Sequence, residues 1–227
     1  MTATPSDTAV DATFAFVDLA GFTALTETHG DAEAVAIVRA FRDRARQVLA
    51  PGDELVKTIG DAVMLRFPTP GAAVTALRAL LHQELSVGDA VLLPRAGAHD
   101  GRAMAVDGDY YGAAVNLAAR VAGEARGAQL LVTTRVAMAA RDQGAIVTHV
   151  GSVPLKNVSE SVDVYDVRVD EETDGVVTDP VCRMRVPTAG EAAVTLDWSG
   201  RRFHFCGLPC LSRFAAEPDR YLDRPAR

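Results

Sequence analysis

Cysteine is missing from the first four fifths of this 227-residue sequence, because Cys182, Cys206 and Cys210 all lie near its end. An odd number of cysteines, in a chain whose first residues show no signal-peptide pattern, indicates thiols or metal ligands and not a disulfide framework. Long apolar runs are missing too, since none approaches the roughly 20 residues that cross a bilayer. We therefore expect a soluble, cytoplasmic protein with no membrane partner.

Positive charge is scarce. The chain has 23 Lys and Arg against 30 Asp and Glu, which gives a formal net charge of -7. Binding to nucleic acid requires clustered basic side chains that neutralise phosphates, so no nucleic-acid partner is expected. A polyphosphate ligand would have to bind together with a metal ion. Hydrophobic residues make up 48% of the chain, which is enough for the core of one full-sized domain and a small appendage.

Motifs of several large enzyme classes are also absent. The sequence contains no G-x-x-x-x-G-K-[ST] loop and no G-x-S-x-G segment, so a P-loop NTPase and an α/β-hydrolase have no support. No pair of histidines has the H-E-x-x-H spacing of a zinc protease. We interpret His29, His82, His99 and His149 as ordinary surface or core residues.

Strand-like and helix-like patterns alternate up to about Val169, which indicates an α+β or α/β domain. The order of the patterns predicts a ferredoxin-like α+β core in two related halves. The predicted elements are a strand ending at Asp18, a short helix opening at Gly21, a helix over Asp31 to Leu49, a hairpin turning at Gly60 and Asp61, a helix over Pro70 to Leu85, a hairpin made of RAGAHDG and RAMAV, a helix over Tyr111 to Gly123, and the strand QLLVT.

Composition divides the chain into three parts. We predict a first domain over residues 1–169, an acidic linker over 170–178 and a small module over 179–227. The module shows two short strands, AAVTLDWS and RRFHF, and a helix after Cys206. A module this small is near the size at which a metal ion is commonly needed for stability.

Two aspartates stand at predicted strand ends. Asp18 and Asp61 would converge if their strands are neighbours, and paired carboxylates suit a hard cation such as Mg²⁺. For either residue alone a structural role is the commoner one, with Asp18 capping the next helix and Asp61 serving as a turn residue. Gly21, Phe22 and Thr23 follow at a helix start, where backbone N–H groups attract phosphate oxygens.

Asn116 and Arg120 are four residues apart on a predicted helix of small apolar residues, so they share one face. Arginine suits the stabilisation of negative charge on a phosphoryl group in transfer, and asparagine can orient a ligand. A solvent-facing stripe on an interface helix is an equally good explanation of this spacing.

Three segments, FAFVDLAGFTAL, ELVKTIGDAVMLRF and DGDYYGAAVNLAARV, resemble the core signatures of class III adenylate and guanylate cyclases, in the order found in that family. The resemblance covers about Thr13 to Val167. It implies that Asp18 and Asp61 bind two divalent cations, Mg²⁺ or Mn²⁺, with the backbone carbonyl of Leu19 assisting. It also implies that the amides of Phe22 and Thr23 bind the triphosphate.

The resemblance assigns the other polar residues as well. Lys57 and Asp109 match the pair that reads the base, and a lysine donor with a carboxylate acceptor fits adenine better than guanine. Asn116 and Arg120 match the residues that orient the ribose and stabilise the transition state. Lys156 stands where the family often has a lysine for the terminal phosphates, and an ordinary surface lysine is the alternative.

The expected function is that of an adenylate cyclase that converts ATP to 3′,5′-cyclic AMP and diphosphate. In this family the metal aspartates come from one subunit, and the base-reading and transition-state residues come from the other. The resemblance therefore implies a head-to-tail homodimer with two sites at the interface. The alternatives are a guanylate cyclase of relaxed specificity and a catalytically silent adaptor that senses a nucleotide or a metal.

The C-terminal segments DPVCRMRV and GRRFHFCGLPCLSRFAAEPDRYL resemble a YHS domain, a small metal-associated module. Cys182, Cys206 and Cys210 are the candidate ligands, and thiolates favour Zn²⁺ or Cu⁺ over Mg²⁺. Met184 or His204 is a candidate for a further ligand, and buried, inert thiols are the alternative. We expect that metal in this module modulates the cyclase.

Overall fold

The computed structural model describes residues 8–82, 85–87, 90–155, 161–169, 176–181, 185–188 and 194–221. In chain order its elements are β1 (Thr8–Leu19), α1 (Phe22–His29), α2 (Asp31–Gln47), β2 (Glu54–Ile59), β3 (Ala62–Phe67), α3 (Pro70–Leu81), β4 (Leu85–Val87), β5 (Ala90–Leu92), β6 (Pro94–Val106), β7 (Asp109–Tyr111), α4 (Ala113–Glu124), β8 (Leu130–Thr133), α5 (Thr134–Asp142), β9 (Val147–Val153), β10 (Val162–Val167), β11 (Val176–Thr178), β12 (Arg185–Pro187), β13 (Val194–Trp198), β14 (Arg201–Phe205), α6 (Leu208–Ala216) and α7 (Pro218–Tyr221).

These elements form two compact units. The first comprises the described residues of Met1–Leu19, Phe41–Gln83 and Pro94–Asp170, and the second those of Ala20–Ala40, Glu84–Leu93 and Glu171–Arg227. The first unit is built on a sheet with the strand order β2-β3-β1-β6-β8-β10-β9, and β7 pairs with β6. Strands and helices are thus mixed in one layered sheet structure, which confirms the predicted α+β class.

The centre of the sheet follows from the sequence of β1. Its run of apolar residues is buried on both faces, with Phe14, Ala15 and Val17 at 0% exposure. Antiparallel neighbours lie on each side, because β1 pairs with β3 and with β6. A continuous apolar strand of this kind is stable only where both faces and both edges are covered.

Helix α4 packs on β6 at a very short distance. Gly97 of β6 permits this, since a Cβ atom built there would lie 1.9 Å from the backbone N of Ala122. Ala114, Ala118 and Val121 are buried on the same helix. Small residues on both elements therefore set the position of α4.

One predicted element is wrong: RAGAHDG and RAMAV do not form a hairpin. They are a single strand, β6, which pairs with β1 without interruption from Thr8↔Ala105 to Leu19↔Pro94. The backbone N–H and C=O groups of β6 on both sides of Gly101 are paired with β1. The strand therefore continues past Gly101 without a turn. The turn lies further on, where Asp107 and Gly108 both have positive φ.

Three predicted boundaries also differ. Helix α3 ends at Leu81, and Leu85 instead begins β4. Tyr111 lies in β7, paired with Met104, and α4 begins at Ala113. Val176–Thr178, in the predicted linker, form β11 and pair with β12. In each case strand pairing, which the local pattern does not show, decides the state of the terminal residues.

The C-terminal module in the second unit has the predicted pattern of a hairpin and a helix. Strands β13 and β14 pair from Val194↔Phe205 to Trp198↔Arg201. The hairpin turns at Ser199 and Gly200, both with positive φ. Phe214 of α6 packs against both strands: its ring centroid lies 4.8 Å from that of Phe203 and 5.3 Å from that of Phe205. This aromatic cluster is the core of the module.

No helix within the described ranges is long and apolar enough to cross a membrane.

A polar network in the first unit should make stability depend on pH. His99 Nδ1 lies 2.8 Å from Thr133 Oγ1. Burial lowers the pKa of His99 below its ordinary value, and the nearby charges of Asp100 and Arg135 have smaller, opposing effects. The unfolded chain therefore takes up this proton first as pH falls.

We expect the free energy of unfolding to decrease as the pH is lowered from about 7.5 to about 5.5. The decrease should be smaller in the His99→Gln variant. Urea unfolding at both pH values measures it. An equal pH dependence in wild type and His99→Gln would contradict the assignment.

Candidate functional site

Asp18 and Asp61 are brought together by the pairing of β1 with β3. Val17 lies opposite Val63, so the end of β1 meets the turn that holds Asp61. The pKa of Asp61 is raised, first by burial and then by the negative charge of Asp18, while the backbone N–H of Leu19 donates to Asp61 and lowers it. Leu19 thus contacts Asp61 through its amide. Two neighbouring carboxylates, one of them poorly solvated, fit a hard divalent cation.

Arg95 binds Asp18, a contact that the sequence reasoning missed. Its Nε donates to Oδ1 at 2.5 Å and its Nη2 donates to Oδ2 at 2.9 Å. Its Nη1 also donates to the carbonyl oxygen of Ala125 at 2.8 Å. The register of β1 and β6 sets Asp18 directly opposite Arg95. A bidentate pair of this kind holds the carboxylate in a defined orientation.

Asp18 is therefore not the cap of the following helix. The N-cap of α1 is Gly21, with φ of 80°, and no side chain caps the helix there. Phe22 and Thr23 are the first two residues of α1. The N–H groups of these positions have no carbonyl partner inside the helix, as in any first turn.

Lys57 and Asp109 meet although they are 52 residues apart. Lys57 Nζ donates to Asp109 Oδ2 at 2.5 Å, and the pair is partly exposed. This hydrogen bond is the largest cause that lowers the pKa of Asp109. The ring of Tyr111 lies 5.8 Å from Lys57 Nζ. A partly exposed donor and acceptor that lie side by side can pair with two adjacent positions on the edge of a base.

Strand β7 is held in place by its other tyrosine. The hydroxyl of Tyr110 donates a hydrogen bond to Glu54 Oε2 at 2.7 Å. Its ring packs against Phe14, with the two ring centroids 5.4 Å apart. These contacts fix the strand on which Asp109 lies.

Asn116 and Arg120 both lie on α4, as predicted. The buried face of α4 consists of small residues packed on the sheet, and Asn116 is exposed while Arg120 is half-buried. The two polar side chains are thus accessible to a ligand or to a second subunit. Lys156, the remaining predicted phosphate ligand, lies outside the described residues.

The cysteines of the C-terminal module form a second cluster. The Sγ atoms of Cys206 and Cys210 are 3.5 Å apart, well beyond a disulfide bond length. Asp179 joins them, and one ligand atom from each of the three lies within 4.8 Å of the others. Cys182 and Met184 lie outside the described residues, and His204 does not belong to this group.

Asp179 also organises the backbone around the thiols. It is fully buried, and its two carboxylate oxygens accept hydrogen bonds from the N–H groups of Val181 and Cys206 at 2.7 and 2.8 Å. The sequence reasoning did not single it out, although its position three residues before Cys182 was a possible signal. Two close thiols beside a buried carboxylate fit a soft or borderline metal ion.

The fold and the paired carboxylates describe a domain of the nucleotidyl cyclase class. A sequence model of the Adenylate and Guanylate cyclase catalytic domain matches residues 5–168, and the chain belongs to this family. A model of the YHS domain matches residues 177–224.

The chain is similar to several known proteins over parts of its length. It is 37% identical to a pH-sensitive adenylate cyclase of Mycobacterium tuberculosis over 109 residues, which is 48% of this chain and 27% of that protein. A copper-transporting P-type ATPase of Rhizobium leguminosarum is 43% identical over 54 residues, 23% of this chain and 6% of that protein. The chain thus matches only about a quarter of the length of the cyclase relative.

Among solved structures, an adenylate/guanylate cyclase/hydrolase from Silicibacter pomeroyi superposes with a TM-score of 0.64 at 23% identity, covering 73% of this chain and 100% of that one. At this identity the likeness shows the fold, so the ferredoxin-like cyclase core is confirmed.

Proposed function

We propose that the chain is an adenylate cyclase that converts ATP to 3′,5′-cyclic AMP and diphosphate. The observation that supports this best is the Lys57–Asp109 pair, which joins two distant residues into one donor and acceptor set. Adenine offers an N1 acceptor and an N6 donor, which match Lys57 and Asp109 respectively. Guanine offers the reverse pattern, so it would leave both groups badly paired.

Asp18 and Asp61 would hold two divalent cations, Mg²⁺ or Mn²⁺. When bound, such ions activate the ribose 3′-hydroxyl and stabilise the charge on the phosphates during an in-line displacement. Arg95 already neutralises Asp18 through two hydrogen bonds. An ionised carboxylate has lone pairs for a cation as well as for these two donors, so Arg95 would hold Asp18 in a fixed orientation toward the ions.

The remaining residues would position the substrate. The first amides of α1, at Phe22 and Thr23, would bind the triphosphate. Asn116 would orient the ribose, and Arg120 would stabilise the negative charge that develops in the transition state. Lys156 would contact the terminal phosphates.

We propose that a homodimer completes each site, with the aspartates of one subunit facing the base-reading residues of the other. Large apolar side chains support this, since they remain exposed near the Lys57–Asp109 pair. Ile59 is 51% exposed, Tyr111 55% and Met104 39%, and Met104 pairs with Tyr111 across the strands. Burial of these side chains by a partner would stabilise the association.

We propose that the C-terminal module binds Zn²⁺ or Cu⁺ through Cys206 and Cys210, with Cys182 as a further ligand. The 3.5 Å separation of the two Sγ atoms supports this. Asp179 would position Cys206 by accepting a hydrogen bond from its backbone N–H. The Asp179 carboxylate would itself be either a ligand of the ion or a close neighbour of it. The copper-transporting relative of the module is compatible with a soft metal.

Purified protein incubated with Mn²⁺ and ATP should form cyclic AMP, identified by chromatography, while GTP should be converted much more slowly. The Asp61→Ala variant should lose activity by about a hundredfold or more, since a cation ligand at the reacting centre is lost. Asp142→Ala, at an exposed helix end, is the matched control and should keep full activity. No cyclic product from a folded protein would instead favour the silent adaptor, and equal use of GTP would favour relaxed specificity.

A further inference from the structure

Helix α1 and the C-terminal module belong to the same compact unit and are joined by an ion pair. Arg213 Nη1, on α6, lies 3.0 Å from Glu27 Oε2, on α1. The two residues are 186 positions apart in the chain. The module therefore contacts the helix whose first residues are the proposed triphosphate ligands.

A cavity of about 450 Å³ lies beside this ion pair. Thr23 and Glu27 of α1 form one wall, and they share a face because they are four residues apart. Arg213, Ala216 and Tyr221 of the module line the other side. The side chain of Thr23 thus faces the module, while its backbone N–H belongs to the first turn of α1.

Helix α1 depends on such contacts for its order. It has only eight residues, with glycine at both ends, and helices this short are unstable in isolation. Glu27 lies in its last turn, where a negative charge opposes the helix dipole. Arg213 neutralises that charge, so the ion pair removes an unfavourable interaction as well as adding a favourable one.

Helix α6 links the ion pair to the cysteines. Cys210 and Arg213 are three residues apart on α6, which places them on neighbouring turns of one face. Phe214, fully buried against Phe203 and Phe205, anchors the same helix to the β13–β14 hairpin. A shift of Cys210 toward Cys206 would therefore move Arg213 with it.

We propose that the C-terminal module orders α1 through the Arg213–Glu27 pair, and that α6 couples the Cys206–Cys210 cluster to the triphosphate-binding end of α1. This regulation rests on the proposed cyclase function for its catalytic consequence. Its structural part is independent of that function, because it concerns the order of α1 itself.

Hydrogen–deuterium exchange of the peptide that spans α1 tests the structural part. In Arg213→Ala the amides of α1 should exchange about threefold to tenfold faster than in wild type. The matched control is Arg202→Ala, which removes an exposed arginine of the same module that pairs with Asp197. It should leave α1 unchanged.

A double-mutant cycle separates the ion pair from a general loss of packing. If Arg213 acts through the charge of Glu27, Arg213→Ala should have little further effect on α1 exchange in a Glu27→Gln background. Additive effects of the two substitutions, or unchanged exchange in Arg213→Ala, would overturn the proposal.

Addition of Zn²⁺ alone tests the link to the cysteines. It should slow α1 exchange in wild type and have no effect in the Cys206→Ser/Cys210→Ser variant. A response that is equal in both proteins, or absent in wild type, would overturn the coupling.

Kinetics then distinguish this proposal from the proposed function. With an active enzyme, Arg213→Ala should raise the KM for ATP by about threefold to tenfold and change kcat by less than about twofold. If wild type makes no cyclic product but α1 exchange responds as expected, the cyclase assignment fails and the coupling stands. If wild type is active and neither α1 exchange nor KM responds, the coupling fails and the cyclase assignment stands.

Discussion

A mixture of equal amounts of the Asp61→Ala and Arg120→Ala proteins should recover about a quarter of wild-type cyclase activity, although each variant alone is almost inactive. The reason is geometric. If the aspartates and Arg120 of one site come from different subunits, a mixed dimer has one site with both defects and one intact site. Random exchange makes about half of the dimers mixed, and each of those has half of its sites working.

The matched control uses two defects on the same side of the site. Asp18→Ala mixed with Asp61→Ala should stay inactive, because every site in a mixed dimer still lacks one aspartate. Native mass spectrometry can establish that mixed dimers form in both mixtures. Recovery in neither mixture, despite mixed dimers, would contradict a site shared between subunits.

Gly97→Ala should lower the free energy of unfolding by about 3 kcal/mol or more. The added methyl group would lie 1.9 Å from the backbone N of Ala122 and 2.5 Å from the carbonyl carbon of Val121. Backbone atoms cannot rotate away as a side chain can, so α4 has to move off β6. Since α4 carries Asn116 and Arg120, we expect cyclase activity to decrease together with stability.

The same helix offers a control of opposite sign. Apart from the backbone of α4 itself and the two neighbouring residues, no atom of the described residues lies within 4 Å of a Cβ built on Gly123. Gly123→Ala should therefore stabilise the protein by about 0.5–1 kcal/mol through helix propensity alone. Urea unfolding of both variants measures the contrast. A Gly97→Ala protein as stable as wild type would show that α4 is not held against the sheet as described.

The hairpin at Gly60 and Asp61 and the helix with Asn116 and Arg120 were predictable because each depends on a local pattern. Turn residues and helical periodicity are patterns of only a few residues, and the structure contains the hairpin of β2 and β3 and the helix α4 that they predict. The false hairpin in β6 shows the limit of this reasoning. Its glycines indicated a turn, but a long paired strand keeps the chain extended.

Arg95 and Asp179 were not predictable in the same way. Arg95 binds a carboxylate 77 residues earlier in the chain, and Asp179 accepts a hydrogen bond from an amide 27 residues later. Neither partner is visible in the local sequence. Strand register determines the first contact, and the packing of the small module determines the second.

The sequence by itself determined the family, the α+β class, the order of the main elements and the polar residues that could perform the chemistry. These depend on short-range periodicity and on motifs read directly from the chain. Only the tertiary structure decided which charges meet: Asp18 with Arg95, Lys57 with Asp109, and Glu27 with Arg213. Such contacts join distant parts of the chain, and their existence depends on register and helix packing, which local interactions do not determine.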